Sequence, residues 1–361
     1  MRYLPLLSLL LSLLITRAAA AEELPVIKVG NEGQPFVLSS GEPFLPWGFN
    51  YDRDSSGRLI EDYWETDWQK VAEDFHEMRA LGANVVRIHL QFGRFMKSPT
   101  EPDLAALDRL ARLVQLAEET ELYLDLTGLG CYHKADVPQW YDSLPESDRW
   151  HAQAEYWKAI ARTCSDSPAI FCYNLMNEPV LPGDGKPAKD WLGPAFAGKH
   201  YVQFLTLDTT GRSRDELFIA WSKELSAAIR QHDRQHLITV GLVPWILDRS
   251  EDGYGYINEN STRHLDFLAL HLYPKTGEVK KAHETLKGFA RIGKPVVIEE
   301  IFPLHCTSEE LEAFIKTARS DVAGWIGFYW GEYPEEPQTV GDRLTREWLE
   351  LFQKQQGVES E

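Results

Sequence analysis

Pro295-Val296-Val297-Ile298-Glu299-Glu300 is a short apolar run that ends in two adjacent acids, and Ser308 to Ser320 follows it with helical periodicity. An apolar run of this length, opened by proline and followed by an amphipathic segment, predicts a buried strand leading into a helix. The same unit recurs upstream. Leu265 to Leu272 predicts a strand and Val279 to Ile292 a helix. Ala169 to Asn177 and His236 to Val243 predict strands, separated by a helix over Arg214 to Gln231. Phe44 to Tyr51, Asn84 to Leu90 and Glu121 to Thr127 are further strand candidates. Their helices run over Asp67 to Leu81, Asp103 to Thr120 and Asp148 to Cys164, the first of them stopped by Gly82. Downstream, Gly324 to Trp330 predicts the last strand and Leu344 to Gln353 a closing helix. The helix after the fifth strand, around Val243 to Arg263, is weakly patterned. Eight alternating units predict a parallel sheet closed on itself, an α/β fold of the (β/α)8 TIM barrel type. Leu24 to Leu38 reads as a short hairpin able to cap one end of it.

The chain has 361 residues, enough to bury a large core without metal or disulfide support. Leu4 to Thr16 is a Leu-rich run behind Met1-Arg2, and Ala18 to Ala21 offers small-residue cleavage points. Roughly the first 21 residues therefore read as a secretory signal peptide. The remainder, residues 22–361, reads as one catalytic domain that is secreted or periplasmic. The four cysteines, Cys131, Cys164, Cys172 and Cys306, allow two disulfides, with Cys164 and Cys172 near in sequence, or free buried thiols. Their spacing fits no common zinc pattern, and no metal or cofactor is expected. A net charge of −18 repels nucleic acid and anionic lipid and suits a neutral substrate. Between the fourth strand and its helix, Pro179 to Ser213 is long for a loop and carries Trp191, Phe196, His200, Tyr201 and Phe204. In a barrel such a loop overhangs the active site, as a lid, a subsite wall or a packed excursion.

The strand ends carry the chemistry. Hydrolysis of a glycosidic bond needs one carboxyl to protonate the leaving oxygen and a second to attack carbon or activate water. Acids stand at two strand ends: Glu178 in Leu175-Met176-Asn177-Glu178-Pro179, and the Glu299-Glu300 pair. Arg87 and His89 share one face of the second strand, His271 and Tyr273 one face of the sixth. Facing inward, Arg87 would set a positive charge beside a carboxylate nucleophile and keep it ionised. Asn50 stands near the end of the first strand, and Trp330 on the eighth offers a flat face for a sugar ring.

Taken in barrel order, these residues resemble glycoside hydrolase family 5. The resemblance covers almost the whole chain after the leader. It implies Glu178 as acid/base within Asn177-Glu178-Pro179 and Glu300 as nucleophile, followed by aliphatic Ile301. Glu299 remains the alternative nucleophile; otherwise it points into the barrel wall and needs an ion-pair partner. The resemblance further implies Arg87, Asn177, His271, Tyr273 and Trp330 around the substrate, with Tyr273 bonded to Glu300 and Asn177 holding the sugar 2-hydroxyl. Where the family has a histidine at the end of the third strand, this chain has Thr127; His133 is a candidate replacement, and Asn50 a further substrate contact. The implied reaction is retaining hydrolysis of a neutral β-glycan. An endo-β-1,4-mannanase-like enzyme stands first, a cellulase, β-glucanase or β-glycosidase second. A catalytically inactive carbohydrate-binding barrel is the rival from another class. A monomer is expected, with no nucleic-acid partner and no membrane partner after leader removal.

Overall fold

The computed structural model describes residues 24–31, 33–183, 185–249, 255–328, 330–331 and 333–356. The expected leader, residues 1–21, lies outside the described residues. Eight parallel strands close into a barrel: β1 Trp47–Tyr51, β2 Val85–Gln91, β3 Tyr123–Gly130, β4 Ile170–Asn177, β5 Leu237–Leu242, β6 Leu268–His271, β7 Val296–Ile301 and β8 Gly324–Gly327. Each pairs with its sequence neighbours, and β8 closes on β1 through Trp325↔Trp47 and Gly327↔Phe49. Such strands are covered on both faces, which is why they read as near-continuous apolar runs.

The longer helices are α1 Trp68–Ala80, α2 Leu104–Glu119, α3 Glu146–Cys164, α4 Arg214–Arg230, α5 Val279–Ala290, α6 Ser308–Ala318 and α7 Val340–Gln356, with one-turn helices at Ile60–Tyr63, Phe92–Phe95 and Gln139–Asp142. Local chemistry sets their starts. Asp103 accepts hydrogen bonds from the backbone of Ala105 and Ala106. Ser213 with Glu216, and Thr307 with Glu310, form reciprocal caps on α4 and α6. Where the sequence pattern is weak, between β5 and β6, the described residues hold only a 3-10 turn, Pro244–Ile246.

The N-terminal hairpin pairs Ile27–Val29 with Phe36–Leu38 in antiparallel register. Phe36 sits edge-on to Phe171 and Phe267, each 5.4 Å away, so the hairpin plugs the end of the barrel where the strands begin. The four cysteines are free, which settles the choice against disulfides.

Bulges and loops position the site at the other end. The pairing register slips between Leu270 and His271 on β6, and between Ile298 and Ile301 on β7. A bulge breaks strict alternation, so adjacent Glu299 and Glu300 both face the lumen. The expectation that Glu299 would turn into the wall is corrected on this account. The loop after β4 is anchored by a two-residue parallel bridge, Pro179–Val180 against Gln203–Phe204. Gln203 Nε2 also donates to Leu129 O at 2.7 Å, and His200 N to Tyr132 O at 2.9 Å. The long loop is therefore strapped across the mouth above β3.

Candidate active site

Arg87, on β2, is fully buried and organises the lumen. Its Nε donates to Thr127 Oγ1 at 2.8 Å. Nη1 donates to Asn50 Oδ1 at 2.8 Å and to Glu300 Oε1 at 2.7 Å. Nη2 donates to Asn177 Oδ1 at 2.8 Å and lies 3.3 Å from Glu299 Oε2. The five N–H groups of a guanidinium thus all face acceptors. Thr127, standing where the family's histidine was expected, serves as the acceptor for Nε.

Glu299 is the structural acid. Asn174 Nδ2 donates to both its oxygens, at 2.9 and 2.8 Å, and His271 Nε2 lies 3.1 Å from Oε2. Burial pushes its carboxyl up, but the Arg87 guanidinium and hydrogen bonds from His271 and Asp125 outweigh that and hold it well below the usual range. Asp125 behaves oppositely. Burial, and then the charge of Glu299, raise its pKa strongly.

Glu178 follows β4 in the left-handed conformation, φ 46°, rare for a residue with a side chain. Its N–H donates to Gly241 O at 3.0 Å, and its carbonyl accepts from Gln203 N at 3.4 Å. These bonds and Pro179 hold a conformation that costs on the order of 1–3 kcal/mol. Its Oε1 lies 2.9 Å from His271 Nδ1. Glu300 receives the Tyr273 hydroxyl at 2.7 Å on Oε2, while Oε1 is 3.4 Å from His271 Nδ1. Burial raises the Glu300 pKa; His271 and Arg87 pull it down, Glu178 pushes it up, and the net direction is upward. Arg87 was expected to keep this carboxyl ionised; here it moderates the shift that burial imposes.

His271 presents both ring nitrogens to carboxylates. Neutral imidazole carries one N–H, so two acceptors select the imidazolium. Burial lowers its pKa, but Glu300 and the bonds to Glu178 and Glu299 raise it to about 9. Among the described residues, Glu178, His271 and Glu300 are the one group whose ligand atoms, all within 4.8 Å of one another, could hold a cation. Here protons and the Arg87 guanidinium face those atoms.

The remaining expected residues divide. Asn50 is spent on the frame: Nδ2 donates to Glu299 O and Gly327 O at 2.8 and 3.1 Å, while Oδ1 faces Arg87 and His89. It positions Arg87 and has no free valence for substrate. Asn177 gives Nδ2 to Tyr201 O at 3.0 Å and keeps one amide hydrogen for a ligand. His89 sits inside, bonded to the Tyr132 hydroxyl. His133 is not brought to the cluster. The turn after β3 directs Tyr132 inward, and His133 lines a small cavity with Gly93, Arg94 and Asp136. Trp330 is also not a sugar platform. It is 3% exposed, packed edge-on to Phe49 at 5.4 Å, with its backbone N–H bonded to Asn50 O. β8 ends at Gly327, yet the Trp330 backbone still bonds the end of β1, so it is the packing of the indole against Phe49 that keeps it from the lumen.

With this geometry in view, comparison against protein families matches Cellulase (glycosyl hydrolase family 5) over residues 38–334. The chain belongs to glycoside hydrolase family 5. Among curated proteins it is 26% identical, over 270 residues, to a probable mannan endo-1,4-β-mannosidase F of Emericella nidulans, covering 66% of this chain and 55% of that one. It is 23% identical to a mannan endo-1,4-β-mannosidase A of Podospora anserina, covering 66% and 63%. The chain thus spans a little over half the length of these relatives. Among solved structures, an exo-β-1,4-mannosidase from an Opitutaceae bacterium superposes with a TM-score of 0.65 at 18% identity, covering 89% of this chain and 60% of that chain. An endo-1,4-β-mannanase from Eisenia fetida gives 0.64 at 16% identity, covering 90% and 94%. These likenesses agree on the barrel. Within this family-5 site, sequence reasoning missed Asp125, Asn174 and Tyr132, while Tyr201 was read only as one of the residues of the long loop. Asp125 and Asn174 were visible as polar residues inside apolar strands.

Proposed function

We propose that this family-5 chain is a retaining β-glycoside hydrolase acting on β-1,4-mannan, endo-β-mannanase-like, with Glu178 as acid/base and Glu300 as nucleophile. The observation that carries the mechanism is the approach of the two carboxyls: oxygens of Glu178 and Glu300 lie within 4.8 Å. Retaining enzymes hold their carboxyls about 5–5.5 Å apart, inverting ones about 6.5–9.5 Å to admit water. Mannan as substrate is supported by the names of the curated relatives.

In the first step Glu300 Oε attacks the anomeric carbon while Glu178 protonates the departing oxygen. The bond between His271 Nδ1 and Glu178 Oε1 holds one proton between the two groups, and its transfer to Glu178 arms the acid. Tyr273 and Arg87 keep the Glu300 oxygens aimed. In the second step Glu178 takes a proton from water, which releases the sugar. A neutral glycan suits the negative protein surface. The Leu-rich leader read from the sequence supports secretion, and we take the enzyme to act as a monomer.

Glu300→Ala tests the assignment. Turnover of an aryl β-mannoside falls by several orders of magnitude, and azide restores part of it as the glycosyl azide of inverted configuration. Retained turnover without azide would refute the role of Glu300. Cleavage of cellulose in place of mannan by the wild type would move the substrate to glucan and leave the mechanism standing.

A further inference from the structure

The loop after β4 carries a side chain that the reaction above does not use. Phe196 and Lys199 exchange backbone hydrogen bonds of 2.8 and 3.0 Å around Ala197, φ 48°, and Gly198, φ 80°. Two successive positive φ values make a tight turn, so the departure of Lys199 is fixed by backbone. Lys199 is 7% exposed, yet its ammonium makes no hydrogen bond or ion pair among the described residues. Its ammonium is not among the wholly enclosed side-chain atoms, so the covered stem presents three free donors to the mouth.

The acceptors nearby are engaged. Asp52 is paired with Arg53 at 3.3 Å, and Asp54 with Arg58 at 2.7 Å and Ser56 Oγ at 2.8 Å. Burial, then the charge of Arg53, lower the Lys199 pKa. A side chain on Gly57, in the loop after β1, would stand 3.8 Å from Nζ, so the β4 loop delivers this ammonium to the β1 edge of the mouth. Arg53 lies there too, 5.9 Å above the ring of Phe328, just past β8. Tyr201, two residues on, stacks edge-on to Tyr132 at 4.8 Å and feels the charge of Glu300. The charges felt by Lys199 are those of Arg53, Asp52, Asp54 and Asp62.

The leaving group lies on the Glu178 side, so the glycone extends away from it, toward the ends of β8 and β1. We propose that the Lys199 ammonium is a specificity-determining contact that holds hydroxyls of the second glycone sugar. This rests on the mannan reading above.

The test compares kcat/KM on an aryl β-mannobioside, which fills the second glycone position, with that on an aryl β-mannoside, which does not. In Lys199→Met the ratio of the two falls about tenfold or more, through KM, while the melting temperature holds. Lys199→Arg recovers part of the ratio; Lys199→Gln replaces the Met variant where that does not fold. An unchanged ratio, or an equal fall on both substrates, would overturn the role of Lys199 while leaving the mannan reading intact. Wild-type enzyme that cleaves neither substrate would overturn both.

Discussion

His271 shows how one residue's charge state follows from its acceptors. Its two N–H groups lie between Glu178 at 2.9 Å and Glu299 at 3.1 Å, and the ring is 1% exposed. Its folded pKa, about 9, stands above the unfolded value, so its stabilising contribution is complete below the unfolded pKa. That contribution, on the order of 3 kcal/mol, is lost as pH rises from about 6.5 toward 9. Wild-type melting temperature should therefore fall more between pH 6 and pH 10 than that of His271→Gln, which has no such proton to lose. Parallel melting curves for the two proteins would show that the imidazolium is not formed. The resemblance to family 5 had named this histidine, but the sequence held no sign of its charge. Charge depends on Glu300, Glu178 and Glu299 together, and the inward turn of Glu299 comes from a bulge that strict alternation does not foresee.

At the scale of an element, β5 shows why one glycine is needed. Its pairing with β4 slips between Thr239 and Gly241, which brings Gly241 N to Asn174 Oδ1 at 2.9 Å and Gly241 O to the Glu178 N–H. A Cβ there would stand 2.8 Å from His271 Nε2 and 3.3 Å from Arg87 Nη2. Gly241→Ala should thus push the histidine off Glu299 and shift the acid/base with it. A fall in kcat of about 10²-fold is expected, since misplacement by about 1 Å costs that much, with circular dichroism unchanged. Wild-type kcat in this variant would mean that the ring has room to move. Elements were legible where pattern and caps agree, as in α2 behind Asp103 and α6 behind Thr307. They were not legible where tertiary packing decides. The four-residue helices Ile60–Tyr63 and Phe92–Phe95 are too short for a periodic signal, and the burial of Trp330 depends on its packing against Phe49. Likewise, no local pattern shows that Lys199 reaches the β1 edge, because the strap that carries it is set by bonds to Tyr132 and Leu129.

Across the whole molecule, the barrel separates what keeps it folded from what it does. The hairpin and the starts of the strands form their own apolar cluster, in which Ile27, Phe36, Phe44, Phe171 and Phe267 are buried. The carboxylates occupy the opposite end, with the polar layer of Arg87, Asn174 and Glu299 between. Phe36 is wholly buried and touches two aromatic rings, so its truncation leaves a void that rigid strand ends cannot fill. Phe36→Ala should therefore cost about 3–5 kcal/mol of folding stability, seen as an earlier midpoint in urea. At 25 °C, where the protein remains folded, kcat and KM should stay at wild-type values, because stability resides at the strand starts and chemistry at their ends. A large change in kcat with no change in the urea midpoint would reverse that division, and would make the hairpin part of the machinery that sets the carboxylates.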